Sequence, residues 1–168
     1  MVATEKTVSQ FKIAVAKMKA RDLNGLFATI MRVGNVDEVG EDGYAMIHHM
    51  VMYGLNDVLS SFIDVGHPNV NIRSKNGTTP LMLACGVGNQ KAASMLINAG
   101  ADVNAESDMM YTALHEAVRR RAPTIVGYLV ASGATLKGDF NGIRPDVLAA
   151  RIGDKNICDM LYGLKVSN

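Results

Sequence analysis

Thr79-Pro80-Leu81-Met82-Leu83-Ala84 is answered 33 residues later by Thr112-Ala113-Leu114-His115-Glu116-Ala117. A fixed interval of this size points to stacked supersecondary units, none of which can bury its apolar face alone. Other segments keep the same interval. Asn98-Ala99-Gly100-Ala101-Asp102-Val103-Asn104 has a weaker upstream partner in Asp64-Val65-Gly66 with Val70-Asn71, and a downstream echo in Ala131-Ser132-Gly133-Ala134.

The middle unit, Ser74 to Glu106, is the most regular. Thr79 is a good N-cap, and Pro80 suits the first helical position because its missing N–H is an orphan there anyway. Leu81, Ala84 and Cys85 predict one short apolar face. Gly88 predicts a sharp turn. Ala92, Ala93, Met95, Leu96 and Ile97 predict a second helix with a stripe at three-and-four spacing, stopped by Gly100. The preceding unit reads Gly43-Tyr44-Ala45-Met46-Ile47-His48, then Gly54, Phe62-Ile63 and Gly66. The following ones keep Leu129, Gly133 and Ala134, then Gly142-Ile143-Arg144-Pro145, Ala149, Gly153 and Met160-Leu161.

This pattern resembles the ankyrin repeat, whose T-P-L-H-x-A signature and period both match. The resemblance covers almost the whole chain. It implies an all-α solenoid of helix-turn-helix units with projecting finger loops at 69–78, 102–111 and 135–143. It also implies one domain, 1–168, with units at about 7–36, 40–73, 74–106, 107–138 and 139–165. Val8 to Gly34 carries two helical patterns but no signature and is read as an N-terminal cap. Lys12, Lys17, Lys19 and Arg21 are placed on its wet side. The last unit departs from the pattern. Asp146 stands in the apolar slot of Leu81, and the second helix, Asn156 to Tyr162, runs into a polar tail at Lys165. Polar intrusion of this kind fits a terminal cap.

Composition agrees with a thin core between closely packed helices. Of the 168 residues, 48% are hydrophobic but only 5% aromatic, with no Trp. The longest apolar runs are too short to span a bilayer. Met1 to Lys12 lacks the apolar stretch of a signal peptide. Cys85 and Cys158 fall in different units at packing positions, which points to a reducing, cytoplasmic compartment and no disulfide. Charge is uneven although the net is only +1. Residues 1–36 carry six Lys/Arg and two Asp/Glu, whereas residues 37–66 carry six Asp/Glu and no Lys/Arg. This is read either as an ordinary mixed surface or as an acidic unit that steers a basic partner.

No catalytic constellation emerges. The glycines serve turns, with no phosphate loop opening a helix after a strand. Neither cysteine stands at metal-ligand spacing from His48, His49, His67 or His115, so neither a metal nor a cofactor is assigned. In the resembling family, the imidazole at the His48 and His115 slot ties loops together through backbone hydrogen bonds.

Function is therefore sought on the surface. In the family register, the end of each first helix faces the concave groove. Arg119 and Arg120 occupy that place, and Arg121 replaces the glycine equivalent to Gly88. Asp108-Met109-Met110-Tyr111 replaces the turn Lys75-Asn76-Gly77-Thr78, with Met110 in a glycine slot, so a normal turn is not assumed. Met109 and Tyr111 are read as recognition residues, and Met110 as folding back onto the next unit. The expected partner-binding set is Tyr44, Met52, Tyr53, Arg73, Lys75, Asn76, Asp108, Met109, Tyr111, Arg119, Arg120, Phe140, Ile143 and Arg151. Aromatics, Met and Arg are typical of interface hot spots. The expected function is a stand-alone, monomeric module that binds another protein, as a stoichiometric inhibitor, a masking subunit or an adaptor. The alternative is a polyanion or small ligand held by the Arg119–Arg121 cluster. A near-neutral chain with one short basic run argues against nucleic acid.

Overall fold

A computed structural model describes residues 5–22, 25–30, 32 and 35–166. Its helices are α1 (Glu5–Ala20), α2 (Leu26–Ile30), α3 (Met46–Met52), α4 (Asn56–Gly66), α5 (Pro80–Val87), α6 (Gln90–Asn98), α7 (Ala113–Arg119), α8 (Pro123–Ala131), α9 (Pro145–Ile152) and α10 (Lys155–Val166). Among the described residues there is no β-sheet, only an isolated antiparallel bridge between Val39 and Ala45. The fold is an all-α repeat.

Two layers run along the stack. The inner layer packs α3 on α5, α5 on α7 and α7 on α9, while the outer layer packs α4 on α6, α6 on α8 and α8 on α10. Helix pair α1–α2 closes one end by packing α1 on α3. Three-and-four spacing sets what each outer helix buries. Leu59 and Phe62 in α4, Ala92, Ala93 and Leu96 in α6, and Ile125, Val126 and Leu129 in α8 are all fully buried. Small residues at the inner contacts, Ala84 and Ala117, are also fully buried and let the inner helices approach closely.

The helix ends follow from local chemistry. Thr79 Oγ1 accepts from Met82 N at 3.3 Å, and Asn89 Oδ1 accepts from Ala92 N at 3.1 Å. Each inner helix of the described repeats is followed by a residue in the left-handed region. These residues are Gly54 (φ 67°), Gly88 (76°), Arg121 (53°) and Gly153 (75°). Arg121 adopts a conformation that costs a non-glycine residue about 1–2 kcal/mol. Its side chain offsets part of that cost, because Nη2 donates to the carbonyl of Ile152 at 2.9 Å. Arg21, also left-handed at φ 55°, does the same in the first unit, with Nη2 3.3 Å from the carbonyl of Tyr53. Each guanidinium thus meets the exposed carbonyls at the end of the next inner helix, where positive charge is favoured.

One open expectation is answered and two are corrected. The turn at Met110 is regular. Ser107 N donates to Tyr111 O at 2.9 Å, as Ser74 N does to Thr78 O, and Met110 takes φ 57° where Gly77 takes 72°. The shape of the turn is kept by placing a non-glycine residue in a costly conformation. Asp146 does not present a wet face. It is only 8% exposed, and Arg144 neutralises it with two hydrogen bonds of 3.0 and 2.9 Å. Helix α10 does not end at Tyr162 but continues to Val166. Gly34, the expected end of the first stretch, lies outside the described residues.

Candidate partner-binding face

The fingers are held edge to edge by backbone hydrogen bonds. Lys75 N donates to Gly43 O at 2.9 Å, Asp108 N to Asn76 O at 3.2 Å, and Phe140 N to Met109 O at 3.1 Å. Below each tip, one polar side chain closes the turn. Ser74 Oγ accepts from Thr78 N, Ser107 Oγ from Tyr111 N, and Asp139 Oδ1 from Ile143 N. A second staple comes from the inner helices. His48 Nδ1 accepts from Ala45 N and leaves Nε2–H to donate to Thr78 O at 2.9 Å. His115 repeats this, accepting from Thr112 N and donating to Ile143 O at 2.9 Å. Both histidines are buried, as their structural role requires. Burial also pushes the His48 pKa below the usual imidazole value, against the pull of the Thr78 carbonyl.

These staples fix a groove of about 280 Å³ between the fingers and the inner helices. Tyr44, Tyr111 and Arg119 from the expected set line it, together with Met82, Leu83, Val87 and Glu116. Tyr44 lies 5.7 Å from the ring of His48, and Tyr111 lies 5.1 Å from His115, so both tyrosine rings rest on the stapling imidazoles. Glu116 holds Arg119, with Nε at 3.1 Å from Oε2. Sequence reasoning missed Leu83 and Glu116. The three-residue spacing of Glu116 and Arg119 on a helix is the signal that could have found the pair.

The rest of the expected set divides by environment. Met109 (56% exposed) and Phe140 (68%) stand at neighbouring finger tips, with Met110 (42%) beside them. Met110 therefore does not fold back onto the next unit. Met52, Asn76, Arg120 and Arg151 are exposed. Arg73 and Asp108 pair with each other at 2.9 Å, and Arg73 also donates to Glu106 O. Lys75 Nζ donates to Glu41 O at 2.9 Å. Tyr53 stacks on His49 with ring centres 6.1 Å apart. Ile143 is half-buried and contributes its carbonyl to His115. The three arginines of 119–121 differ in their surroundings. Arg119 is held by Glu116 and Arg121 by Ile152 O, while Arg120 is exposed.

Cys85 is fully buried, and burial, with Glu116 nearby, pushes its thiol up to about 12. A thiol so protonated is a poor nucleophile at neutral pH. Among the described residues, no helix is long and apolar enough to cross a membrane.

The sequence profile described as "Ankyrin repeats (3 copies)" matches residues 15–107 and 47–139. The protein named "Probable 26S proteasome regulatory subunit p28" of Saccharomyces cerevisiae is 30% identical over 131 residues, which cover 74% of this chain and 57% of that one. The "BRCA1-associated RING domain protein 1" of Caenorhabditis elegans is 42% identical over 64 residues, covering 38% of this chain and 9% of its own. The "Neurogenic locus notch homolog protein 1" of Homo sapiens is 34% identical over 106 residues, covering 62% and 4%. The matched stretch thus spans between 4% and 57% of these relatives' own lengths. With the profile match, the period and the stacked helix pairs in agreement, the chain belongs to the ankyrin-repeat family, whose members serve as protein–protein interaction modules.

Proposed function

We propose that this chain binds a partner protein through the tips of its last two fingers and the groove beside them. The observation that carries this reading is the pair Met109 and Phe140. Two large apolar side chains are exposed side by side on fingers locked by a hydrogen bond between their own backbones. The neighbouring Met110 turn is kept in a costly conformation with an exposed side chain. Packing does not explain that choice, and methionine adapts well to a partner surface. Tyr111 and Tyr44 add aromatic walls, and the Glu116–Arg119 pair adds charge recognition.

The binding is stoichiometric and needs no cofactor. It uses the whole chain, 1–168, as one monomeric domain of five units. The p28 protein is named as a regulatory subunit, and a role as an inhibitory or masking subunit fits a chain built from repeats. Two free thiols, one of them fully buried, fit a cytoplasmic setting.

The test compares wild type with Met109→Ser/Phe140→Ser and with Lys19→Ala in capture from native lysate, alongside melting curves. The tip variant should melt as wild type does and lose its captured partner, while Lys19→Ala keeps it. Unchanged capture by the tip variant would exclude the fingers as the interface.

A further inference from the structure

A second cleft, of about 510 Å³, lies at the opposite end of the stack, between α1 and the first finger. Its volume is within the range of about 300–1,000 Å³ that encloses small groups in known sites. Helix α1 contributes Phe11, Lys12, Val15 and Ala16, whose spacing puts them on one side of the helix. Residues 38–42 form the facing wall. We propose that this cleft is a separate docking site for a protein segment that carries a bulky apolar side chain flanked by lysine or arginine.

The walls are built rather than incidental. Val39 bridges to Ala45, and Gly40 N donates to Tyr44 O at 2.9 Å, so the finger side is fixed. Phe11 lies so close to Gly40 that a Cβ there would sit 2.5 Å from its Cε1 atom. Glycine at this place leaves the Phe11 ring at the base of the cleft. Val15, Ala16 and Val39 add aliphatic surface. Such walls favour an apolar anchor.

The charges select what surrounds that anchor. Glu38, Glu41 and Asp42 line the cleft against one base, Lys12, which already pairs with Glu41 at 3.0 Å. The facing wall, residues 38–42, holds these three carboxylates and no Lys/Arg. A phospholipid headgroup, a nucleotide or a nucleic acid would meet a field of its own sign here. A neutral small molecule would gain nothing from the excess of carboxylates over Lys12. Apolar walls with an acidic rim complement an apolar residue between basic ones.

The experiment uses the full chain labelled with ¹⁵N. The probe is a short peptide with a central leucine between paired arginines. Its controls carry glutamate flanks, uncharged flanks, or serine at the centre. Amide shifts should cluster at Val15, Ala16, Val39 and Gly40, and binding should weaken with added salt. All three controls should bind more weakly. Ala16→Arg, on an exposed helix position, should keep the melting curve and reduce affinity about tenfold or more. Glu38→Lys should act in the same direction. Met109→Ser/Phe140→Ser should bind this probe normally, which separates the cleft from the finger interface. The proposal is overturned if no probe binds, if glutamate or uncharged flanks bind equally, if Ala16→Arg binds as wild type, or if the shifts gather at Leu83 and Tyr111 instead.

Discussion

Gly77→Ala tests how the fingers are held together. Gly77 sits at φ 72° in the middle finger. A Cβ added there would stand 2.7 Å from the backbone N of Asp108, and closer still to Arg73 Nη2 and Asp108 Oδ1. The substitution therefore acts twice. The left-handed backbone costs an alanine roughly 1–2 kcal/mol, and the stiffer unfolded chain returns about 0.4–1 kcal/mol. The clash then forces the next finger away. That breaks the hydrogen bond from Asp108 N to Asn76 O, worth about 1 kcal/mol, and the exposed Arg73–Asp108 pair, worth about 0.2–1 kcal/mol. The expected loss is roughly 2–3 kcal/mol.

Gly88→Ala is the internal control. Its φ is 76°, almost the same, but nothing lies within 4 Å of an added Cβ. It should cost only the backbone share, about 1 kcal/mol or less. Urea titrations followed by circular dichroism give both values. A gap of about 1 kcal/mol corresponds to roughly 2–4 °C in melting temperature for a chain of this size. Amide exchange at Asp108 should speed up in Gly77→Ala alone. If the two variants lose equal stability and Asp108 stays protected, the fingers are not coupled at this contact.

Leu96→Ala empties a fully buried site between helix pairs and should cost roughly 2–5 kcal/mol in the same titration; a loss near zero would contradict the packing. Burial holds His48 and His49 below the ordinary imidazole pKa of 6.5, although Asp42 pulls His49 the other way. The unfolded chain therefore takes up protons first as pH falls, so stability is complete above about pH 6.5 and declines below it. The urea midpoint should drop between about pH 7.5 and pH 5, and less so in His48→Met. A flat profile in wild type would refute this. Cys85 should resist alkylation in the folded chain and react only on unfolding, while the less buried Cys158 reacts sooner. Equal labelling rates under native conditions would count against the buried assignment.

The stacking order and the inner and outer helices were legible in the sequence, because each rests on a local rule repeated at one interval, while the histidine staples were implied by the resemblance to the ankyrin repeat. What resisted was the meaning of broken rules. Arg121 in a glycine slot reads as a functional mark, whereas Met110 reads as a side chain that folds back onto the next unit. Their backbones are alike, with φ near 55° in both, yet their side chains part company. Arg121 reaches the end of the next inner helix, as Arg21 does in the first unit, so its departure has a structural reason. That contact spans 31 residues and depends on where the neighbouring helix ends, which no local pattern reveals. Met110 remains exposed beside Met109. Asp146 makes the same point from the other side. It breaks the apolar pattern, yet Arg144, two residues away, lets it stay buried. A departure whose side chain finds a partner within the fold is answered by stability. One left at the surface in a costly backbone, as at Met110, is where a partner's contribution is to be sought.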